Sequence, residues 1–287
     1  MRPVARLLLV LALIGLAPRP LPAQTNSSFV LPAGCTVPFG AIAGSPAIDS
    51  SCGIEGDPAG SESPAPNMAA QNRAKNNLCA TGDPALVTMV SFDKLERAAE
   101  ATGITFGARD CVPADRAPLA DLYATSEGDR IGEGSLVVFV GYLVGQPHAA
   151  GKESVNCALS DREADNDFHL TLAISRKPSP CKTIVAEMTP HRRPAPWTLA
   201  ALRAVKAPVR VTGQLFFDAS HQPCGGKSLL KACPQHRASV GSARNPPRRS
   251  IWEIHPVYRL EVCSRTTLAK CRYDDDGVWT PLGGSGG

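Results

Sequence analysis

Val209-Arg210-Val211-Thr212-Gly213-Gln214-Leu215-Phe216-Phe217-Asp218 runs toward His221, and Ile251-Trp252-Glu253-Ile254-His255-Pro256-Val257 answers it beyond a long basic loop that contains cysteines. Both runs are rich in β-branched and aromatic residues, the composition of strands. Three more strands precede them. Residues 135–144 (SLVVFVGYLV) are almost wholly apolar. In residues 167–174, Phe168, Leu170, Leu172 and Ile174 alternate with Asp167, His169, Thr171 and Ala173, the period of a half-buried strand. Residues 183–188 make the third. Between the third and fourth, Pro196 opens a short helix with Leu199, Leu202 and Val205 on one face, and Pro208 ends it. Three strands, a helix and two strands is the element order of the OB-fold, a five-stranded Greek-key barrel. Gly141 and Gly213 suit the bends of a small closed barrel. The predicted fold class is therefore mainly β: an OB-fold-like five-stranded barrel with one short helix over residues 134–282, preceded by an irregular and partly helical N-terminal segment. An open α+β sandwich would use the same elements.

The first residues read as something other than fold. Arg2 and Arg6 precede an apolar run over residues 7–16, and Leu21-Pro22-Ala23 offers a small residue before Gln24. That is the layout of a secretory signal peptide over residues 1–23. The run is too short to span a bilayer, and no later stretch reaches transmembrane length. The reading is an exported protein, periplasmic or extracellular. Taking away Arg2, Arg6 and Arg19 leaves 27 Lys+Arg against 26 Asp+Glu. Any argument for a polyanionic partner must then rest on local charge.

Ten cysteines follow: Cys35, Cys52, Cys79, Cys111, Cys157, Cys181, Cys224, Cys233, Cys263 and Cys271. An even count in an oxidising compartment reads as disulfides, with no free thiol expected. The absence of Cys-x-x-Cys argues against a zinc ribbon or a thioredoxin-type site. The short spacings make Cys224–Cys233 and Cys263–Cys271 the easiest pairs to close.

Residues 24–133 form an N-terminal segment. Residues 24–66 are rich in Ala, Gly, Ser and Pro and lack periodicity, and residues 67–78 suit a short polar helix. Asp83-Pro84 has the form of a helix start, and Ser91 is placed to cap residues 92–101, with Gly103 as the stop. This segment has no large core of its own and is expected to pack on the barrel. Residues 283–287 read as a flexible end.

The polar residues of the strands fall at strand ends. Asp167 and His169 begin the second strand, Asp218 and His221 leave the fourth, and Glu253 and His255 begin the fifth. In an OB barrel the flanking loops border one mouth, so all six are expected to converge there. Imidazole with carboxylate suits a divalent transition metal, or a general acid or base. The same residues also suit backbone-bonding anchors for the loops. No organic cofactor is expected.

The loop after His221 carries Lys227, Lys231, Arg237, Arg244, Arg248 and Arg249 and no acid, a candidate anion-binding set. Against it stand Asp161, Glu163, Asp165 and Asp167 of the facing loop, which would neutralise it. That acidic run lacks the glycine and the final glutamate of a calcium loop and reads as a solvated turn. Phe216 and Trp252 are the only evident stacking candidates, and either suits the core as well. No Gly-x-Ser-x-Gly, phosphate-cradling glycine loop or His-Glu-x-x-His occurs.

Gly141-Tyr142-Leu143, Ser154-Val155-Asn156-Cys157, Asp167-Phe168-His169, Phe217-Asp218-x-x-His221 and Trp252-Glu253-Ile254-His255-Pro256 together resemble exported bacterial OB-like proteins of unknown function. The resemblance covers residues 134–263 and implies no catalytic assignment. The favoured reading is a ligand- or polyanion-binding module, its partner an anionic polymer or an envelope component. The alternatives are a metal-assisted, nuclease-like hydrolase using the His/Asp/Glu cluster, and a structural envelope protein. Oligomeric state is not fixed by the sequence.

Overall fold

The polar stretch MAAQNRAK forms the first helix, α1 (Met68–Lys75), in a computed structural model that describes residues 55–57, 67–159, 163–190, 193–224 and 247–284. The signal-peptide reading, Cys35, Cys52 and Cys233, and Lys227, Lys231, Arg237 and Arg244 lie outside the described residues. A two-residue strand, β1 (Ala85–Leu86), follows, then α2 (Met89–Ala101). The helix start is not at Asp83-Pro84, and Ser91 is not the N-cap. Ala85 and Leu86 pair in parallel with Val137 and Val138, which keeps them extended. Thr88 then caps α2 by accepting from the Ser91 amide, while Ser91 Oγ accepts from the Thr88 amide. This reciprocal box satisfies two orphan donors at once. Phe92, Leu95 and Ala99 line one buried face of α2, and Phe92 meets Phe139 edge-on at 6.2 Å between ring centroids.

A small hairpin, β2 (Tyr123–Ala124) with β3 (Arg130–Ile131), leads into the barrel. Its strands are β4 (Leu136–Ala149), β5 (Phe168–Ala173), β6 (Ile184–Met188), β7 (Val209–Phe217) and β8 (Trp252–Cys263), with α3 (Leu199–Ala204) between β6 and β7. β4 pairs with β5 and β5 with β6, both antiparallel; β6 pairs with β8 in parallel; β8 pairs with β7 and β7 with β4, both antiparallel. The last pairing closes the circle, so the molecule is a five-stranded barrel with OB topology and not an open sandwich. A short β9 (Trp279–Pro281) adds to the far end of β8.

Alternate residues fill the interior: Val137, Phe139, Leu170, Leu172, Ile184, Ala186, Val211, Leu215, Phe217, Ile254 and Leu260 are buried in one core. Each large apolar side chain removed from water contributes about 1.5–3 kcal/mol. Leu199 and Leu202 of α3 join them. Two glycines answer to close approach. A Cβ at Gly213 would lie 2.4 Å from the Pro256 carbonyl oxygen, and one at Gly141 would lie 2.7 Å from the Ala173 oxygen.

Two disulfides are formed by Cys181–Cys224 and Cys263–Cys271. Cys79, Cys111 and Cys157 are also disulfide-bonded, and no described cysteine is free. Cys224 therefore does not close on nearby Cys233. The foot of its loop is tied to the β5–β6 connection instead, through Cys224 N to Arg248 O and Arg249 N to Thr183 O, which brings Cys181 alongside. Among the described residues no helix is long and apolar enough to cross a membrane.

Candidate functional site

Glu253 and His255 alternate along β8 with Trp252 and Ile254, which lie in the core. Phe216 and Gln214 alternate likewise with Leu215 and Phe217 on β7, and Glu187 with Ala186 and Met188 on β6. The period of two therefore places the polar set on the outer wall of the barrel. It does not line the barrel mouth, as the sequence suggested. Nor is it open to water: Asp167, Glu253 and His255 are 0% exposed and Glu187 2%.

The cover is α1. Gln71 Nε2 donates to Asp218 Oδ1 (3.1 Å), Lys75 Nζ reaches Glu187 Oε2 (3.3 Å), and Gln214 Nε2 donates to the Ala74 carbonyl (2.8 Å). The 3₁₀ turn at Ser154–Asn156 closes one side, held to α1 by Asn72 and Ser154. Arg116 ties the other end, with a bidentate pair to Glu133 and a donation to the Phe217 carbonyl.

Beneath this cover the charges form two lobes. In the first, Glu187 is central. His169 Nε2 lies 3.3 Å from Glu187 Oε1 and 3.4 Å from Glu153 Oε1. His255 Nδ1 lies 2.9 Å from Glu187 Oε2, and His255 Nε2 lies 3.6 Å from Asp167 Oδ2. In the second lobe, Asp218 accepts from His221 at 2.5 Å and from Ser220 Oγ, and Arg248 pairs with Glu253 and stands 3.9 Å from Asp218. Thus His169 and His255 share one carboxylate, while His221 belongs to the other lobe. Lys75 lies between the lobes and interacts with Glu153, Glu187, Asp218 and Glu253.

Electrostatics sorts the groups. Burial opposes charge on His169, yet Glu187 and Glu153 outweigh it and lift the imidazole to about 10. Burial pushes Glu153 up, but Lys75 and His169 bring it to about 2. Glu187 is held well below the usual carboxylate range against its burial by His169, Lys75 and His255. Burial raises Asp167. Glu253 is pushed well up by burial, with Glu187 and Asp218 adding to it. Lys75 is raised well above its ordinary value because the surrounding carboxylates outweigh its burial.

The anion-binding set looks different in three dimensions. Arg248 is 3% exposed and spent on Glu253, and Arg249 forms a two-point pair with Asp93 of α2. Phe216 and Trp252 are fully buried, so neither is a stacking platform. The acidic turn is solvated only in part: Glu163 is exposed, and Asp161 lies outside the described residues. Asp165 and Asp167 are buried, and Arg193 pins the turn through the Ala164 and Asn166 carbonyls, stacked 3.6 Å from the Phe168 ring centre.

Sequence reasoning missed Glu187, Glu153 and Lys75. Glu187 sits in the apolar run Ile184-Val185-Ala186-Glu187-Met188, where a lone acid on a strand between apolar neighbours is itself a signal of a buried partner. The chain matches no family model, no curated protein and no solved structure.

Proposed function

We propose that this chain is an exported binding module that takes an anionic polymer, phosphate- or sulfate-bearing, on the outside of its barrel. The carrying observation is Arg176. It donates to the Lys206 carbonyl and to the Thr266 carbonyl (2.9 Å), and its guanidinium lies 4.4 Å from the Tyr142 ring centre. One side chain thus gathers the β5–β6, α3–β7 and β8–β9 connections at one end of the barrel. Around it Lys177, Lys206, Arg265 and Lys270 are exposed. The nearby acids are engaged elsewhere, Glu261 and Asp276 by Arg210 and Asp274 by Arg272. Cations held on ordered loops, with no ion pair among the described residues, suit phosphate or sulfate groups. Export rests on the basic-then-apolar N-terminal sequence, with which the disulfides are compatible.

A hydrolase built on the buried donors would need substrate at Glu187 and His255, which α1 covers. The test is binding of a fluorescent heparin-type polysaccharide across a salt series. The triple variant Lys177→Glu, Lys206→Glu, Lys270→Glu is expected to lose at least tenfold in affinity and to flatten the salt slope by roughly one unit per cation removed. Unchanged affinity and slope would overturn the reading.

A further inference from the structure

We propose that Glu153, His169 and Glu187 bind one divalent transition-metal ion, with His255 and Asp167 holding Glu187 from behind. Metal–ligand bonds of about 2.0–2.1 Å in tetrahedral geometry set donor-to-donor edges of about 3.3 Å. The two edges at His169 Nε2 are 3.3 Å to Glu187 Oε1 and 3.4 Å to Glu153 Oε1. Donor atoms of all three residues lie within 4.8 Å of one another. His169 Nε2 stands almost equidistant from two carboxylates and makes an aligned hydrogen bond to neither. A hydrogen-bonded imidazole points at one acceptor; one equidistant from two presents its nitrogen to the space they share.

A second observation is independent of the first. Asp167 is fully buried, yet neither of its carboxylate oxygens makes an aligned hydrogen bond among the described residues, with His255 Nε2 standing 3.6 Å from Oδ2. A buried carboxylate so little satisfied costs free energy, so this interior is built around a charge beyond its own side chains.

The donors also select the ion. Imidazole with two carboxylates favours first-row transition metals over calcium or magnesium, which prefer all-oxygen shells. The site has a way in, because the Glu153 and His169 side chains are 23% and 22% exposed. Behind it, His255 Nδ1 and Lys75 Nζ both contact Glu187 Oε2, leaving Oε1 toward His169. A ligand carboxylate fixed through its second oxygen is the usual support of a metal site.

The test uses the untagged, disulfide-intact full chain stripped of metal and titrated with Co²⁺ and then Zn²⁺, read by visible absorbance and calorimetry. One ion per chain is expected, with Zn²⁺ displacing Co²⁺ and its spectrum. His169→Ala and Glu153→Gln, both near the surface, should each weaken binding at least a hundredfold with the fold kept, as read by circular dichroism. His255→Ala should weaken it about ten- to a hundredfold. Absence of saturable binding, or binding unchanged in His169→Ala and Glu153→Gln, overturns the proposal. The heparin assay on the same variants is expected to be unchanged, so the two readings fail separately.

Discussion

His169 of β5 and Glu187 of β6 are direct partners across the ladder, and their side chains meet on the outer wall at 3.3 Å. Neighbouring His148 of β4 is the register partner of His169 on its other side. A cross-strand pair is fixed by register alone, so these groups are held together wherever the barrel forms. The contacts made by α1 are of a different kind, because they join elements far apart in sequence.

Glu96 joins α2 to the start of β8. Its Oε2 accepts from Ser250 Oγ (2.6 Å) and from the Ile251 amide (3.2 Å). Burial raises its carboxyl to about 7 from an ordinary 4.5, with Glu100 and Asp93 adding and the two hydrogen bonds opposing. The folded protein therefore holds this proton more tightly than the unfolded chain. The resulting stability is fully present below about pH 4.5 and is lost as pH rises through about 7, an amount on the order of 3 kcal/mol. Glu96→Gln should remove that part of the slope, as measured by urea unfolding between pH 4.5 and 8. A slope identical in Glu96→Gln would refute the assignment.

Two adjacent arginines should behave very differently. Arg248 is buried against Glu253 and near the ionised Asp218, so Arg248→Ala leaves both buried acids without its guanidinium and should cost about 3–5 kcal/mol. Arg249 and Asp93 are about a quarter to a third exposed, so Arg249→Ala should cost at most about 1 kcal/mol. Neither change should alter the salt slope of heparin binding. Equal losses in denaturant titration would contradict the burial assigned to Arg248.

The disulfides should contribute in order of the loops they close. Cys181–Cys224 spans 43 residues and Cys263–Cys271 spans 8. Loop entropy gives about 4 and about 2.5 kcal/mol respectively. Double replacement by Ser, which avoids exchange with Cys233, should lower the melting temperature more for the first pair. Non-reducing peptide mapping should recover Cys181 linked to Cys224; a Cys224–Cys233 peptide would contradict the fold of that loop.

The barrel was legible because apolar, β-branched and aromatic runs, one of them of period two, report strands directly, and five of them around one helix leave few topologies. The site was legible only in part. Alternation placed Glu253 with His255, and the structure keeps them on one face. It could not say which face the interior would take, since Trp252, Ile254 and Leu215 claimed the inside by volume. Nor could it identify the cover: α1 has no apolar stripe beyond Met68 and its alanines, and nothing in MAAQNRAK shows that Gln71 and Lys75 are answered by Asp218 and Glu187. The error at Asp83-Pro84 is local. Pairing of Ala85 and Leu86 with β4 outweighed a helix-start signal, and the Thr88–Ser91 box starts the helix five residues along.

The polar underside of α1 also bears on the order in which the molecule assembles. Lys75 meets its partner 112 residues downstream, and Gln71 meets Asp218 147 residues downstream. A chain emerging from its N-terminus must hold this helix sequence unpaired until the strands exist. Because what it will cover is charged, neither surface is sticky while it waits, and early misassociation is suppressed. The cost falls on speed. Contacts of such long range form late, so docking of α1 should be the slow final phase of refolding, after the barrel has closed.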